Sequence, residues 1–345
     1  MAKKRISIKD VVSTTPVEVA KGITVEKLSP IFFDSSKLKK QPEPIYRMDS
    51  ANHRYYYRFN KEGEPEFYTS VTTMIKNTLP TSPHLIKWLA DKGMEEGHDE
   101  AMERAFYGTF LHAECATLLT TGKYDLDTLQ DRLEKFAVKE RATLKPEWTD
   151  DLKKDILAFA QFMIEKNVKP LAIEVILYHP TDGYAGAIDL VLELDDDQKG
   201  YFGEVYLSGV NKGQPKETKR TVRINAILDI KSGRKGFYES HEIQLKGYDE
   251  MWKEHFPDVR IDKLLNWSPK NWIGKIPTYN LKDQTESPNM CKLPHLIRLA
   301  KIDDSKRTNS VTVINGSIDL TKGLDGLIEE VSFVELIKKN RQVLV

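Results

Sequence analysis

Two short segments constrain this chain more than any other. Ile227-Leu228-Asp229-Ile230-Lys231-Ser232-Gly233 alternates apolar and polar residues, and Gly186-Ala187-Ile188-Asp189 ends a small-residue approach in a carboxylate. In a strand, successive side chains point to opposite faces, so Asp229 and Lys231 share one face. Asp189 is set among Ile188, Leu190 and Val191, and Asp229 between Leu228 and Ile230. A carboxylate in such an apolar strand is costly unless a metal or a cation pairs with it. A chain with two of them must build a sheet in which either a bound ion or an ion pair with Lys231 answers their charge.

The surrounding periodicities place these segments in an α/β frame. Tyr46 to Met74 reads as a β-hairpin, with β-rich Tyr55–Phe59 and Phe67–Val71 joined by the turn-like stretch 60–65. Helices are expected from Pro83 to near Gly93, over Glu100–Thr120, Leu126–Phe136 and Trp148–Lys166. Strands 171–178, 186–194 and 224–231, helix 239–254 and strand 261–267 follow. A helix near Leu293–Ala300, a strand over Ser310–Leu320 and a helix over Val331–Lys339 are expected towards the C-terminus.

The order helix, three strands, helix, strand, with Asp189 followed by Asp229-Ile230-Lys231, resembles the core of the PD-(D/E)XK nuclease superfamily. It is similar in particular to the RecB-like and Cas4-like exonuclease branch, phage exonucleases included. Gly108-Thr109-Phe110-Leu111-His112 resembles the branch's upstream helix motif, whose histidine is a metal ligand. Glu174 matches the acid of the first core strand, and Gln244-Leu245-Lys246-Gly247-Tyr248 matches its Gln-x-x-x-Tyr helix. The resemblance covers roughly 70–267. It implies a restriction-endonuclease-like α/β core, a central mixed sheet flanked by helices, with an N-terminal hairpin and helical region and a C-terminal α+β extension. It also implies one or two Mg²⁺ or Mn²⁺ ions held by Asp189, Asp229, the Ile230 carbonyl and His112, with Glu174 as a further acid. A histidine ligand tilts the choice towards Mn²⁺. Lys231 would orient water and stabilise the transition state, supported by Gln244 and Tyr248.

Each assignment has an alternative. Lys231 could be a plain ion-pair partner. His112, beside Leu111 and Cys115, could be a hydrogen-bonded core residue, and Glu174 could only bond a neighbouring helix. Tyr248 could pack helix on sheet. The tyrosines 55–57 and Phe59 could stack unpaired bases, though alternating tyrosines are more often sheet surface. Trp88, Gly93 and Cys115 read as packing, and His241 as surface.

Composition sets the outer limits. The 345 residues carry 52 Lys and Arg and 52 Asp and Glu, a balanced charge that excludes a protein coated for non-specific DNA binding. Distribution matters more. Between Lys212 and Lys235 eight Lys or Arg face only Glu217 and Asp229. Arg223, Arg234 and Lys235 in this run are candidate contacts for a phosphate backbone; a solvated hairpin flank is the other reading. Cys115 and Cys291 cannot make a disulfide framework and suggest a reducing compartment. Two cysteines also fall short of the four that an iron–sulfur cluster needs, so none is expected. The basic start, Met1 to Arg5, lacks a following apolar stretch and no run is long enough to span a bilayer, which points to the cytoplasm of a bacterial or phage-infected cell.

The expected organisation is a tail or small subdomain over 1–45, the core over 46–270 and an extension over 271–345. An insertion at 195–222 would be a DNA-gripping β-arm or an elaborated hairpin. The expected activity is metal-dependent DNA hydrolysis, by an exonuclease serving recombination, repair or phage genome processing. A structure-specific or restriction-like endonuclease, and a non-catalytic nucleic-acid-binding or assembly protein on the same fold, are the alternatives. DNA is the expected partner, with a helicase or annealing protein by analogy alone.

Overall fold

The computed structural model describes residues 17–20, 23–28, 38–49, 54–234, 236–304, 310–314, 316 and 326–344. In chain order, β1 (Val17–Ala20), β2 (Ile23–Leu28), β3 (Ile45–Asp49), β4 (Arg54–Phe59) and β5 (Pro65–Ser70) form an antiparallel meander. Helices α1 (Val71–Thr78), α2 (Pro83–Lys92), α3 (Met94–Thr121), α4 (Leu129–Glu140) and α5 (Trp148–Glu165) follow. Then come β6 (Lys169–His179), β7 (Tyr184–Val205), β8 (Pro215–Ile230), α6 (Glu239–His255), β9 (Lys263–Pro269) and β10 (Tyr279–Asp283). The chain continues through α7 (Leu293–Asp304), the pair β11 (Ser310–Ile314) and β12 (Ile328–Ser332), and α8 (Phe333–Leu344).

Strands β1 to β10 make one ten-stranded mixed sheet. At its centre β6, β7 and β8 are antiparallel, and β9 runs parallel to β8. A parallel neighbour needs a crossover, and α6 supplies it. Helices cover both faces, which is why the central strands are apolar on both sides. On one face α3, α4 and α5 press Phe110, Leu111, Leu133, Phe159 and Phe162 onto Leu190, Leu192, Leu228 and Trp267. On the other, α1, α6 and α7 pack Met74, Ile243, Trp252 and Leu293 against Val175, Val191, Ile227 and Leu264. Burying side chains of this size contributes roughly 1.5–3 kcal/mol each. The α/β core with a mixed sheet between helices is thus as expected.

Glycines set how closely the helices approach. A Cβ on Gly186 would meet Tyr248 at 3.0 Å and Val71 at 3.1 Å, and one on Gly247 would meet Val71 at 2.8 Å. Their absence lets α1 and α6 lie tight against β7.

Several boundaries differ from the sequence expectation. Within 46–74 the expected hairpin is β4 and β5, closed by the 60–64 turn; β3 adds a third strand, and the chain turns into α1 at Val71, whose side chain is fully buried with Met74 and Ile75. Described segments 17–20 and 23–28, expected within a tail or small subdomain, are strands of the main sheet. Segment 195–222 is an elaborated hairpin, in which β7 and β8 continue past the core as a two-stranded ribbon paired out to Val205 and Pro215. Helix α3 starts at Met94 rather than near Glu100. Its first half stands off the core, with Trp88 and Leu89 of α2 against Gly97.

The meander joins the core through two parallel pairs of β5 with β7, Thr69 with Tyr184 and Ser70 with Ala185. One of its faces packs Tyr46, Met48, Tyr55 and Tyr57 against Phe333, Leu336 and Ile337 of α8. The other packs Ile45, Tyr56 and Tyr68 against Ile176 and Tyr178. Tyr55, Tyr56 and Tyr57 are therefore core residues, at most 8% exposed, and none is free to stack a base.

Candidate active site

The central strands meet the helices at one end of the sheet, and Asp189, Asp229 and Lys231 converge there. Asp189 and Asp229 are 8% and 0% exposed. Each has its charge answered by donors. Asp189 Oδ2 accepts from the Ile230 amide at 2.8 Å and lies 3.5 Å from His112 Nδ1. Asp229 Oδ1 accepts from Lys231 Nζ at 2.9 Å, and its Oδ2 from Asn266 Nδ2 at 2.7 Å. Lys231 Nζ also donates to Gln244 Oε1 at 3.2 Å, and Gln244 Nε2 donates to the Tyr248 hydroxyl. A backbone bond from Lys231 N to Trp267 O, 2.8 Å, fixes the strand end. Asp229, Lys231, Gln244 and Tyr248 are thus in one hydrogen-bonded chain, and Asp189 and His112 lie beside it, tied in through the Ile230 amide.

Glu174 enters through an irregularity. The register places it opposite Asp189, since Ile173 faces Leu190 and Val175 faces Ile188. Its φ is +48°, in the left-handed region that a non-glycine residue rarely occupies. The strand alternation breaks at this pair. Ile173 and Leu190 pack on the α3–α5 layer, whereas Val175 and Ile188, two residues away on each strand, pack on the α1–α6–α7 layer. Such a backbone conformation costs of order 1–3 kcal/mol and is typical of functional sites. It brings one donor atom each of His112, Glu174 and Asp189 within 4.8 Å of one another. That is close to the span of two metal–ligand bonds of about 2.1 Å.

Helix α3 delivers His112 because Gly108, one turn earlier, carries no side chain. A Cβ there would meet Ser232 Oγ at 3.1 Å, pushing the helix off the loop that follows Lys231. That loop is tied down by Arg234, which donates to Asp155 Oδ1 at 2.5 Å, while Tyr107 donates to Asp155 Oδ2 at 2.7 Å.

The electrostatics are those of a cation site. Burial pulls the His112 pKa down, but the charge and hydrogen bond of Asp189 and the charge of Glu174 outweigh it and lift it to about 9. Burial and then the Asp189 charge push Glu174 up to about 8, against the pull of His112. Burial raises Asp229 to about 6 despite Lys231. Burial also opposes ionisation of Asp189, but His112, Lys231 and the Ile230 amide hold its pKa below the usual carboxylate value. At neutral pH the cluster therefore carries protons on His112 and Glu174, in positions where a divalent cation would serve instead.

Other expected residues are committed elsewhere. Arg223 bonds Glu193 Oε1 at 2.5 Å and Asp195 Oδ1 at 2.8 Å, at the root of the ribbon. Lys235 lies outside the described residues. His241, expected at the surface, is partly buried: its Nδ1 accepts the Tyr238 amide at 3.2 Å to cap α6. Burial and then the nearby Lys231 charge pull its pKa down to about 3. Cys115 is fully buried, as expected of a core residue.

Sequence reasoning missed Asn266 and Gln284. The signal for Asn266 was available: an amide in the otherwise apolar Leu264-Leu265-Asn266-Trp267, a strand buried on both faces. Tyr56 was missed as a neighbour of the site. Burial raises its pKa, Arg54 and Arg47 pull it back, and Glu174 adds to the rise, so the meander lies within electrostatic reach of the centre.

Among the described residues, no helix is long and apolar enough to cross a membrane. No protein-family model matches the chain, and no curated protein matches it. Among solved structures, one named as a putative exonuclease from Eubacterium rectale is similar over 61% of this chain and 80% of its own length. Its identity is 12% and its TM-score 0.29, a likeness too distant to carry an argument about activity.

Proposed function

We propose that the chain is a divalent-metal-dependent nuclease that hydrolyses phosphodiester bonds in DNA, most plainly as an exonuclease of the RecB-like branch. The observation that carries this reading is the strained Glu174 backbone. It sets a third donor beside Asp189 and His112, next to Asp229 and Lys231. Histidine, two or three carboxylates and the Ile230 carbonyl suit Mg²⁺ or Mn²⁺, the nitrogen favouring Mn²⁺. When bound, such an ion supplies charge neutralisation at the phosphate and acidifies water.

The chain's own groups do the rest. His112 gives up its proton and offers a neutral nitrogen. Asp189 keeps its orientation through the Ile230 amide. Lys231, held by Asp229 and Gln244, presents an ammonium that can orient the attacking water and stabilise charge developing on the phosphate. Gln244 and Tyr248, one turn apart on α6, fix where that ammonium points. A role in recombination, repair or phage genome processing, with a helicase or annealing partner, would follow from end-dependent degradation.

The test is degradation of end-labelled linear and covalently closed circular DNA with Mg²⁺ or Mn²⁺, beside Asp229→Ala and Lys231→Ala. Loss of linear DNA alone, abolished in both variants, is the expected result. Cutting of the circle, equally abolished, would reassign the chain as an endonuclease. No cleavage of either, or cleavage that survives both substitutions, would overturn the reading.

A further inference from the structure

We propose that Asn266 and Gln284 form a buried positioning relay that holds the Asp229 carboxylate in its metal-competent orientation. This rests on the metal site argued above. Asn266 lies on the last strand of the stretch that resembles a nuclease without being one of its motif residues, and Gln284 lies beyond that stretch, just after β10.

The relay is read from three contacts. Asn266 stands beside Asp229 in the parallel register of β9 and β8. Its Nδ2 donates to Asp229 Oδ2 at 2.7 Å, and its Oδ1 accepts from Gln284 Nε2 at 3.1 Å. The backbone of Gln284 is anchored by its amide, which donates to Leu264 O at 2.8 Å. Asp229, Asn266 and Gln284 are 0%, 0% and 2% exposed.

Each member constrains the next. An amide can turn over and present oxygen instead of nitrogen to its neighbour. The Asp229 carboxylate only accepts, so it takes Nδ2 of Asn266 and leaves Oδ1 for Gln284 Nε2, a second contact that holds the amide in that turn. Asp229 then has Oδ2 tethered to β9 and Oδ1 shared with Lys231, which fixes the plane of the carboxylate. Two of its roughly four lone-pair directions remain for a cation. Outer partners of this kind tune affinity without touching the ion, and their loss typically costs 10–100-fold in metal binding. Water cannot replace the relay in a fully buried position without space for it.

The experiment compares wild type, Asn266→Leu, Gln284→Met and the double variant. Mn²⁺ binding is followed by titration calorimetry, and cleavage of linear DNA is measured as a function of Mn²⁺ concentration. Leu and Met keep the volume and remove the hydrogen bonds. Asn266→Leu should weaken Mn²⁺ binding at least tenfold and Gln284→Met about threefold. The double variant should be no weaker than Asn266→Leu, since Gln284 acts only through Asn266. A variant that merely folds less well lowers the number of binding sites but not the dissociation constant, so the two effects separate. Unchanged dissociation constants in Asn266→Leu would overturn the relay, as would a double variant whose loss equals the product of the singles. A wild type that binds Mn²⁺ but cuts no DNA would overturn the nuclease reading and leave the binding comparison intact. A wild type with no Mn²⁺ binding would overturn both.

Discussion

Strands β7 and β8 are each two structures in one. Their inner halves lie in the core, where Asp189 and Asp229 are at most 8% exposed and each carboxylate oxygen that bonds has a named donor. Their outer halves, beyond Asp195 and Arg223, form a ribbon with one face exposed to solvent and the other half-buried. There Lys199 lies directly opposite Lys219, with Tyr201 opposite Glu217. Tyr201, Leu207 and Val210 are 71%, 85% and 102% exposed. The same ladder continues through both, so the backbone does not distinguish them. Burial does. A misplaced charge in the inner half would cost several kcal/mol, whereas like charges across the outer ribbon cost a fraction of one. The inner acids are affordable only because the site is built around them.

The sharpest way to break this contrast is to remove an inner charge. Asp229→Ala and Asp189→Ala should lower DNA cleavage by ~10³-fold or more, and Lys231→Ala by ~10²–10³-fold. Both acid variants should keep a cooperative unfolding transition, seen by circular dichroism.

Next in size is Glu174→Gln. It should weaken Mn²⁺ binding about tenfold while raising the melting temperature of the metal-free protein, because the neutral amide no longer opposes burial. Retained Mn²⁺ affinity would show that Glu174 only bonds its neighbours.

Acidity sharpens the contrast differently. The folded pKa values of Glu174 and His112, about 8 and 9, lie above their ordinary values. Their contribution to stability is therefore present at low pH and lost as pH rises through those values. Metal-free protein should melt at lower temperature at pH 9 than at pH 6. Mn²⁺ binding should strengthen over the same interval and release roughly two protons per ion at pH 7, measurable by calorimetry in buffers of different ionisation enthalpy.

Arg223→Ala, at the junction of the two halves, should lower stability by about 1 kcal/mol in urea unfolding and leave the cleavage rate at saturating DNA unchanged. The smallest effect belongs to the ribbon. Lys219→Glu should stabilise it by a few tenths of a kcal/mol, seen as slower amide exchange at residues 197–201.

Most of the core was legible in the sequence because its signals are local. Alternation located β6, β7 and β8, the 3.6-residue period located α5 and α6, and the spacing of Asp229 and Lys231 placed both on one face. What escaped depends on partners distant in sequence. The left-handed backbone of Glu174 has no signature in its own residue type. The capping role of His241 appears only once α6 begins at Glu239. Gln284 meets Asn266 only because β10 pairs antiparallel with β9. The N-terminal strands β1 and β2 escaped for the same reason: they join the sheet only by pairing onto β3, and a short apolar run without its partner strand reads as a tail.

The meander's place in the chain bears on how the molecule is made. The meander is synthesised before its partners: the strand it docks on begins at Tyr184, and the helix that covers Tyr46, Met48, Tyr55 and Tyr57 supplies Phe333, Leu336 and Ile337. During translation this tyrosine-rich sheet must wait, with an open edge and a bare face, while the central strands form downstream of it. Long-range pairings of this kind form slowly and leave surface exposed to misassembly. The nascent chain is thus vulnerable at the meander until Tyr184 and Phe333 have both been made, and a chaperone that shields the meander over that interval would do more for its yield than one acting on the core.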